Sequence, residues 1–165
     1  MSDYTIYKIS ELCTLLKRGV TPSYTEKKEV LVVNQKCVRN FKLDLSLARY
    51  TDTKKKKIDQ EKFLKSFDIL INSTGVGTLG RVAQIREVKN LITADSHITI
   101  MRPNQNLVDP EYLGYSVKAI QKIIENLGEG STGQTELSRT ILGDLDIKVL
   151  NGKKYQKQIN IFFLI

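Results

Sequence analysis

Gly75, Gly77 and Gly80 are spaced as GxGxxG directly behind the apolar run Ile69, Leu70, Ile71. That is the pattern of a dinucleotide cradle, where glycines let the backbone approach a pyrophosphate at a helix N-terminus. The reading needs a helix opening at Gly80, and Val82, Ile85, Val88 and Leu91 have the spacing of one helical face. Against it, the fingerprint belongs to the first βα turn of a larger fold, whereas this stretch (residues 66–85) lies well inside a chain of 165 residues. Gly75 and Gly80 also have P-loop spacing, but Arg81 and Val82 stand where a Lys and a Ser or Thr would bind phosphate and Mg²⁺. The simplest reading is strand, tight turn, strand, with positive φ at the glycines and Val82 and Ile85 on the second strand.

Other chemistry-bearing residues are sparse. Asp95 and His97 suggest an acid–base pair, yet no Ser or Cys nucleophile is recognisably placed beside them. A structural or DNA-contacting histidine fits better. Asp146 and Lys148 form half of a nuclease DxK site, but no partner carboxylate is evident, and a surface strand of alternating charged and apolar residues explains them. Asp109-Pro110-Glu111-Tyr112 resembles the DPPY loop of amino-methyltransferases with a wrong third residue, and reads as a helix cap. Cys13, Cys37 and His97 lack metal-ligand spacing, so no zinc site is expected. Two isolated cysteines suit a reducing compartment.

The elements that would position such residues follow from periodicity. Residues 9–18 read as a short helix, with Ser10 as N-cap, a stripe of Leu12, Leu15 and Leu16, Lys17 and Arg18 in the last turn, and Gly19 ending it. Residues 30–33 read as a buried strand. The four consecutive lysines Lys54, Lys55, Lys56 and Lys57 read as a solvated loop, and residues 58–64 as a helical turn. Residues 94–101 alternate as a half-buried strand, with Ser96, Ile98 and Ile100 on one face and His97, Thr99 and Met101 on the other. Residues 109–127 give the clearest helix, with Asp109 as N-cap, Pro110 at N1, and Leu113, Val117, Ile120, Ile124 and Leu127 on one stripe. Residues 128–139 read as a polar loop, Ser138 as the cap of a short turn, and Leu145, Ile147 and Val149 as an alternating last strand. Tyr155, Ile159, Phe162 and Phe163 share a helical face that is bare for a partner. The fold class expected is a mixed α/β chain, a twisted mixed sheet with short flanking helices.

The formal net charge is +8. Residues 1–65 carry 15 Lys/Arg against 8 Asp/Glu, and residues 66–165 carry 11 against 10. A basic N-terminal half is the footprint of a nucleic-acid binder, and equally of a lysine-rich solvated surface. Residues 1–10 lack an apolar signal core, and no apolar run approaches the ~18 residues of a membrane span. No secretion or membrane insertion is expected.

In order along the chain, these landmarks resemble the target-recognition domain of type I restriction–modification DNA specificity subunits. Gly19-Val20-Thr21-Pro22-Ser23 is similar to that family's GxTPS segment. Asp68-Ile69-Leu70-Ile71, Thr74-Gly75 and Gly80-Arg81-Val82 are similar to its core hairpin, with Phe67 where the family usually has glycine. His97-Ile98-Thr99-Ile100-Met101-Arg102-Pro103 resembles its H-I-x-I-x-R-P strand, and Tyr112-Leu113 its Y-L helix. Gly130-Ser131-Thr132 with Leu137-Ser138 resembles its G-S-T-x-x-x-L-S loop. Gln156 and Ile159 resemble the Q-x-x-I that opens its spacer helix. Each motif alone is weak; together, in the right order, they are specific.

The resemblance implies a non-catalytic protein of the prokaryotic cytoplasm that reads one half of a split double-stranded DNA site. It implies a recognition domain over residues 1–151 and the start of a spacer and dimerisation helix over 152–165. That helix, through Tyr155, Gln156, Ile159, Phe162 and Phe163, would meet the methyltransferase subunit or a second copy of the chain. No cofactor is expected on this chain, because S-adenosylmethionine and ATP/Mg belong to the methyltransferase and restriction subunits. One domain and a helix start suggest a half-subunit, a truncated product or an excised domain. Residue chemistry, apart from the resemblance, nominates Asn34, Gln35, Lys36, Arg39, Ser73, Thr74, Arg81, Ser131, Thr132, Gln134 and Arg139 for base edges, and Lys54, Lys55, Lys56 and Lys57 for phosphates. Two other readings remain: a small nucleotide-binding enzyme using the glycine turn of Gly75, Gly77 and Gly80, and a module whose basic face binds acidic proteins or RNA.

Overall fold

A computed structural model describes residues 3–128 and 136–162, excluding the side chains of residues 159–162. In chain order the strands are β1 (Tyr4–Lys8), β2 (Cys13–Arg18), β3 (Tyr24–Thr25), β4 (Val30–Val33), β5 (Val38–Arg39), β6 (Lys42–Leu43), β7 (Arg49–Thr51), β8 (Ile69–Asn72), β9 (Val82–Gln84), β10 (Ile92–Ala94), β11 (Ile98–Pro103) and β12 (Asp146–Leu150). The helices are α1 (Pro110–Ala119), α2 (Gln121–Asn126), α3 (Arg139–Gly143) and α4 (Lys153–Phe162). The architecture is mixed α/β, as the sequence patterning indicates.

An antiparallel sheet ordered β2-β11-β8-β9 lies at the centre. β8, β9 and β11 are buried on both faces, and period-2 alternation sorts the side chains of the sheet between two cores. Ile69, Ile71 and Met101 join Leu113, Val117, Ile124 and Leu142 on the helical side. Leu70, Ile98 and Ile100 face Val33, Ala94 and Leu64 on the other. The second core is closed by a sheet ordered β10-β4-β7-β3, in which only the β10–β4 pair is parallel. A ribbon of β1 and β12 and a small β5–β6 hairpin complete the strands.

The same sorting overturns the helix expected over residues 9–18. Those residues form a 3-10 turn, Ile9–Leu12, closed by the Glu11 carboxylate accepting from the Lys8 amide at 2.6 Å, and then strand β2. Leu12, Leu15 and Leu16 imitate a helical stripe, but Leu15 goes to one core and Leu16 to the other. Only a strand sends neighbours to opposite faces. Gly19 is therefore no helix cap. Its amide donates to the Ile98 carbonyl at 2.9 Å, and a Cβ there would meet the Ala94 and Asp95 carbonyl oxygens at 2.1 and 2.3 Å.

Three further expectations change. Residues 94–101 are two strands, β10 and β11, with a turn at Asp95–Ser96–His97, and Ile98 to Met101 are all buried rather than half-buried. The helix over 109–127 is broken at Ile120 (φ −93°, ψ 10°) into α1 and α2. Across the break Leu113 and Val117 of α1 and Ile124 of α2 share one core, and α2 passes close over the glycine turn. Ser138 sits at the N-cap of α3 but makes no side-chain cap bond. Asp109 caps α1 as expected, accepting from the Glu111 and Tyr112 amides at 3.1 and 3.0 Å.

Asp68 pins the central hairpin. It is fully buried and paired with Arg102 of β11 through two guanidinium bonds of 2.9 and 2.7 Å. Arg102 also donates to the Glu61 and Phe63 carbonyls, tying the segment between the two sheets to the hairpin. No helix among the described residues is long and apolar enough to cross a membrane.

Candidate nucleic-acid interface

The GxGxxG stretch is a β-hairpin turn. Gly80 is followed by strand β9, not by a helix, which removes the dinucleotide cradle. Gly75 and Gly80 have φ of +101° and +81°, the left-handed region that glycine enters without a Cβ penalty. At Gly80 a Cβ would also lie 2.8 Å from the backbone of Glu125 in α2. The turn is thus held between α2 and the side chain of Gln35. Gln35 donates from Nε2 to the Thr74 hydroxyl at 2.9 Å and to the Thr74 carbonyl. Thr74 Oγ1 also meets His97 Nδ1 at 2.7 Å. Gln35, Thr74 and His97, from three separate segments, form one polar cluster beside the turn.

Beyond it lies a basic groove. A cavity of about 650 Å³ is lined by Lys17, Arg18, Lys62, Glu136, Ser138 and Arg139 among others. An adjoining cavity of about 250 Å³ shares Lys62 and adds Lys56, Lys57, Thr21 and Asp59. Arg18 links groove and polar cluster. It donates to the Ser96 carbonyl at 3.2 Å, to the Leu137 carbonyl at 3.0 Å and to the Glu136 carboxylate at 2.9 Å. On the other flank of the turn, Arg39, Asn40, Arg81, Lys118 and Gln121 surround a polar cavity of about 350 Å³. Arg81 reaches back to the Gly77 carbonyl at 2.8 Å. The residues flanking the turn thus reach both hollows, Thr74 through its bridge to Glu136 and Arg81 directly. Among the described residues, Lys56, Lys57, Lys62 and Arg139 have no carboxylate partner.

The nominated residues divide accordingly. Gln35, Thr74, Arg81, Arg39, Lys56, Lys57 and Arg139 come together around the turn and groove. Lys36, Lys54 and Lys55 are exposed, with the Lys54 and Lys55 amides bound to Asp52 at 2.9 and 3.2 Å. Ser73 is a correction: it is fully buried, its hydroxyl paired with Thr99 at 2.6 Å and donating to the Ile71 carbonyl at 3.2 Å, so it faces the core. Asn34 is occupied locally, accepting from the Lys36 amide at 2.9 Å and donating to the Leu47 carbonyl at 2.8 Å. Ser131, Thr132 and Gln134 lie outside the described residues.

Gln156 is also corrected. It is 2 % exposed and turned into its own body, accepting from the Asp109 amide and donating to the Leu150 carbonyl, both at 2.7 Å. Tyr155, the preceding residue of α4, is 59 % exposed. Phe163 and the side chains of Ile159 and Phe162 are outside the described residues.

Lys17, Arg18, Lys62, Lys118 and Gln121 were not among the residues the sequence nominated. The one local signal was the Lys17-Arg18 pair before Gly19, concealed by the helical reading of residues 9–18.

The catalytic suggestions dissolve on geometry. The Asp95 carboxylate accepts from the His97 backbone amide at 2.9 Å, while the imidazole turns to Thr74. Burial pushes the Asp95 carboxyl above its ordinary range, against the pull of that amide. Asp146 pairs with Lys8 at 2.7 Å, and Lys148 lies over the Tyr4 ring. Among the described residues no group of three His, Cys, Asp or Glu side chains could hold a metal. Burial pushes the Cys13 thiol up to about 12, which leaves it unreactive.

The family model described as type I restriction modification DNA specificity domain matches residues 1–163. Among curated proteins, none matches the chain. The chain is similar in fold to the S subunit of the type I restriction–modification system of M. genitalium (19% identity, TM-score 0.67, 98% of this chain and 38% of that one). A chain from a study of assembly and conformational transition in the type I R-M system gives TM-score 0.72 at 12% identity, over 98% of this chain and 37% of that one. The HsdS subunit of Thermoanaerobacter tengcongensis gives 0.69 at 12%, over 98% and 36%. The chain thus spans under two fifths of the length of these structures.

Proposed function

We propose that this chain, which belongs to the type I restriction–modification DNA specificity domain family, reads one half of a split duplex site. The observation that carries the reading is the cluster of Lys56, Lys57, Lys62 and Arg139, without carboxylate partners among the described residues, in the groove beside the glycine turn. Lys56, Lys57, Lys62 and Arg139 would neutralise phosphates, which fixes the register of the protein on the duplex, while Lys17 is already paired with Glu61 at 2.6 Å. Thr74 and Arg81 at the ends of the turn of the hairpin held by Asp68 and Arg102, with Gln35 and Arg39 from the neighbouring 35–39 segment, offer the donors and acceptors that base edges answer. No step of chemistry is assigned to the chain. Adenine methylation with S-adenosylmethionine, and ATP-dependent cleavage, would belong to methyltransferase and restriction subunits that the chain directs in the cytoplasm.

Helix α4 is the element suited to meet those subunits or a second copy. Gln156 sets its direction against β12 and the cap of α1, and Tyr155 faces outward. Two copies joined there would read a two-fold symmetric site. The deciding experiment is equilibrium binding of the chain to duplex DNA, alone and with its methyltransferase, across a salt series. Sequence-selective binding whose log affinity falls linearly with log salt supports the proposal. No binding at low salt with the methyltransferase present refutes it.

A further inference from the structure

We propose that Glu136 is a base-reading residue, its carboxylate accepting a hydrogen bond from the N4 amino group of a cytosine in the major groove, with Arg18 as its positioning residue. The inference rests on the reading of this chain as a DNA-binding domain, and names a specificity determinant within it.

Glu136 is the one carboxylate lining the larger part of the groove, of about 650 Å³, whose other charged residues are Lys17 (paired with Glu61 at 2.6 Å), Arg18, Lys62 and Arg139. A negative charge there weakens attraction for phosphates, so backbone binding gives no reason for it. It is nevertheless held firmly. Its backbone bridges Thr74 of the glycine turn, and the next amide, that of Leu137, donates to the Ser73 carbonyl at 2.8 Å. Its Oε1 is fixed by Arg18 Nη2 at 2.9 Å, and Arg18 is itself anchored on the Ser96 and Leu137 carbonyls. The Arg18 side chain is 19 % exposed and that of Glu136 69 %. The pair thus consists of a sunken guanidinium and a presented carboxylate, whose Oε2 has no partner among the described residues.

A carboxylate only accepts. In the major groove the donors are the amino groups of cytosine and adenine, and adenine sets an N7 acceptor beside its donor. N7 repels a carboxylate and suits the two-sided amide of Asn or Gln instead. Cytosine is the base that fits Glu136.

The test is selection from a randomised duplex pool by the full chain with its methyltransferase, using wild type, Glu136→Gln and Arg18→Met. Wild type should enrich a motif with an invariant cytosine. In Glu136→Gln that single column should turn to adenine or flatten, with discrimination at that position reduced about 5- to 150-fold. Non-specific duplex should bind more tightly, because a negative charge has left the groove. Arg18→Met should flatten the same column. An unchanged motif in Glu136→Gln, or equal loss at every column, overturns the inference while leaving DNA reading intact. No enriched motif with wild type overturns both.

Discussion

The ion pair of Asp68 with Arg102 shows how single residues hold the reading hairpin in place. Burial pushes the Asp68 carboxyl upward, and Arg102, with the Lys65 amide, pulls it back. Arg102→Met would leave a fully buried carboxylate with one backbone donor, at a cost of about 3–5 kcal/mol in denaturant titrations. The loss is pH-dependent. A carboxyl whose folded pKa is raised contributes stability below its unfolded pKa and loses it as pH rises through the folded value. The deficit of Arg102→Met relative to wild type should therefore be largest near pH 7 and shrink in acid. Adding Asp68→Leu should recover most of it. Phe67 makes a second case. It holds φ of +71° where the resembling family has glycine, a conformation that costs an L-residue roughly 1–2 kcal/mol. Phe67→Gly should fall within about 1 kcal/mol of wild type, with relieved strain offsetting lost packing, whereas Phe67→Val should be clearly destabilised in thermal melts. The sequence displayed the anomaly at Phe67, but not the backbone angle that explains it.

At the scale of elements, legibility depended on whether a local signal was unique. The apolar run of β4, the alternation of β12 and the Asp109-Pro110 start of α1 each pointed to one kind of element, whereas the β8–β9 turn also matched GxGxxG with a helical face behind it. Residues 9–18 had two readings, because Leu12, Leu15 and Leu16 satisfy helical spacing as well as a strand shared by two cores. Only the second sheet, distant in sequence, decides between them. The glycine turn was legible as a turn, yet its contact with α2 was not. That contact predicts a graded response. Gly77 has φ of +71° with nothing within 4 Å of a Cβ, so Gly77→Ala should cost about 1 kcal/mol of backbone strain alone. Gly80→Ala adds a collision with the Glu125 backbone at 2.8 Å to a φ of +81°, and should cost several times more by thermal denaturation.

At the scale of the whole molecule, the sequence revealed the charge imbalance of its N-terminal half but not the surface that results. Lys17 and Arg18 on β2, Lys56 and Lys57 on a loop, Lys62 in the 3-10 turn Gln60–Lys62 and Arg139 at the start of α3 become neighbours only through the fold. A lysine run such as residues 54–57 is ambiguous alone, since a solvated loop and a phosphate contact have the same composition. The groove separates the two, because Lys56 and Lys57 line it beside Lys62. If they meet phosphates, each is worth a slope of about −0.9 in log affinity against log salt. Replacing both by alanine should then flatten the slope by roughly 2, and weaken cognate and random duplexes equally, because phosphates carry no sequence. Lys148→Ala provides the comparison: its ammonium lies over the Tyr4 ring on the β1–β12 ribbon, away from the groove, and should leave the slope as it is. An unchanged slope in the double variant would return the lysine run to the solvated loop and move the duplex to the hollow lined by Arg39, Arg81 and Lys118. There the same salt series on Arg39→Ala and Lys118→Ala would show the missing contacts.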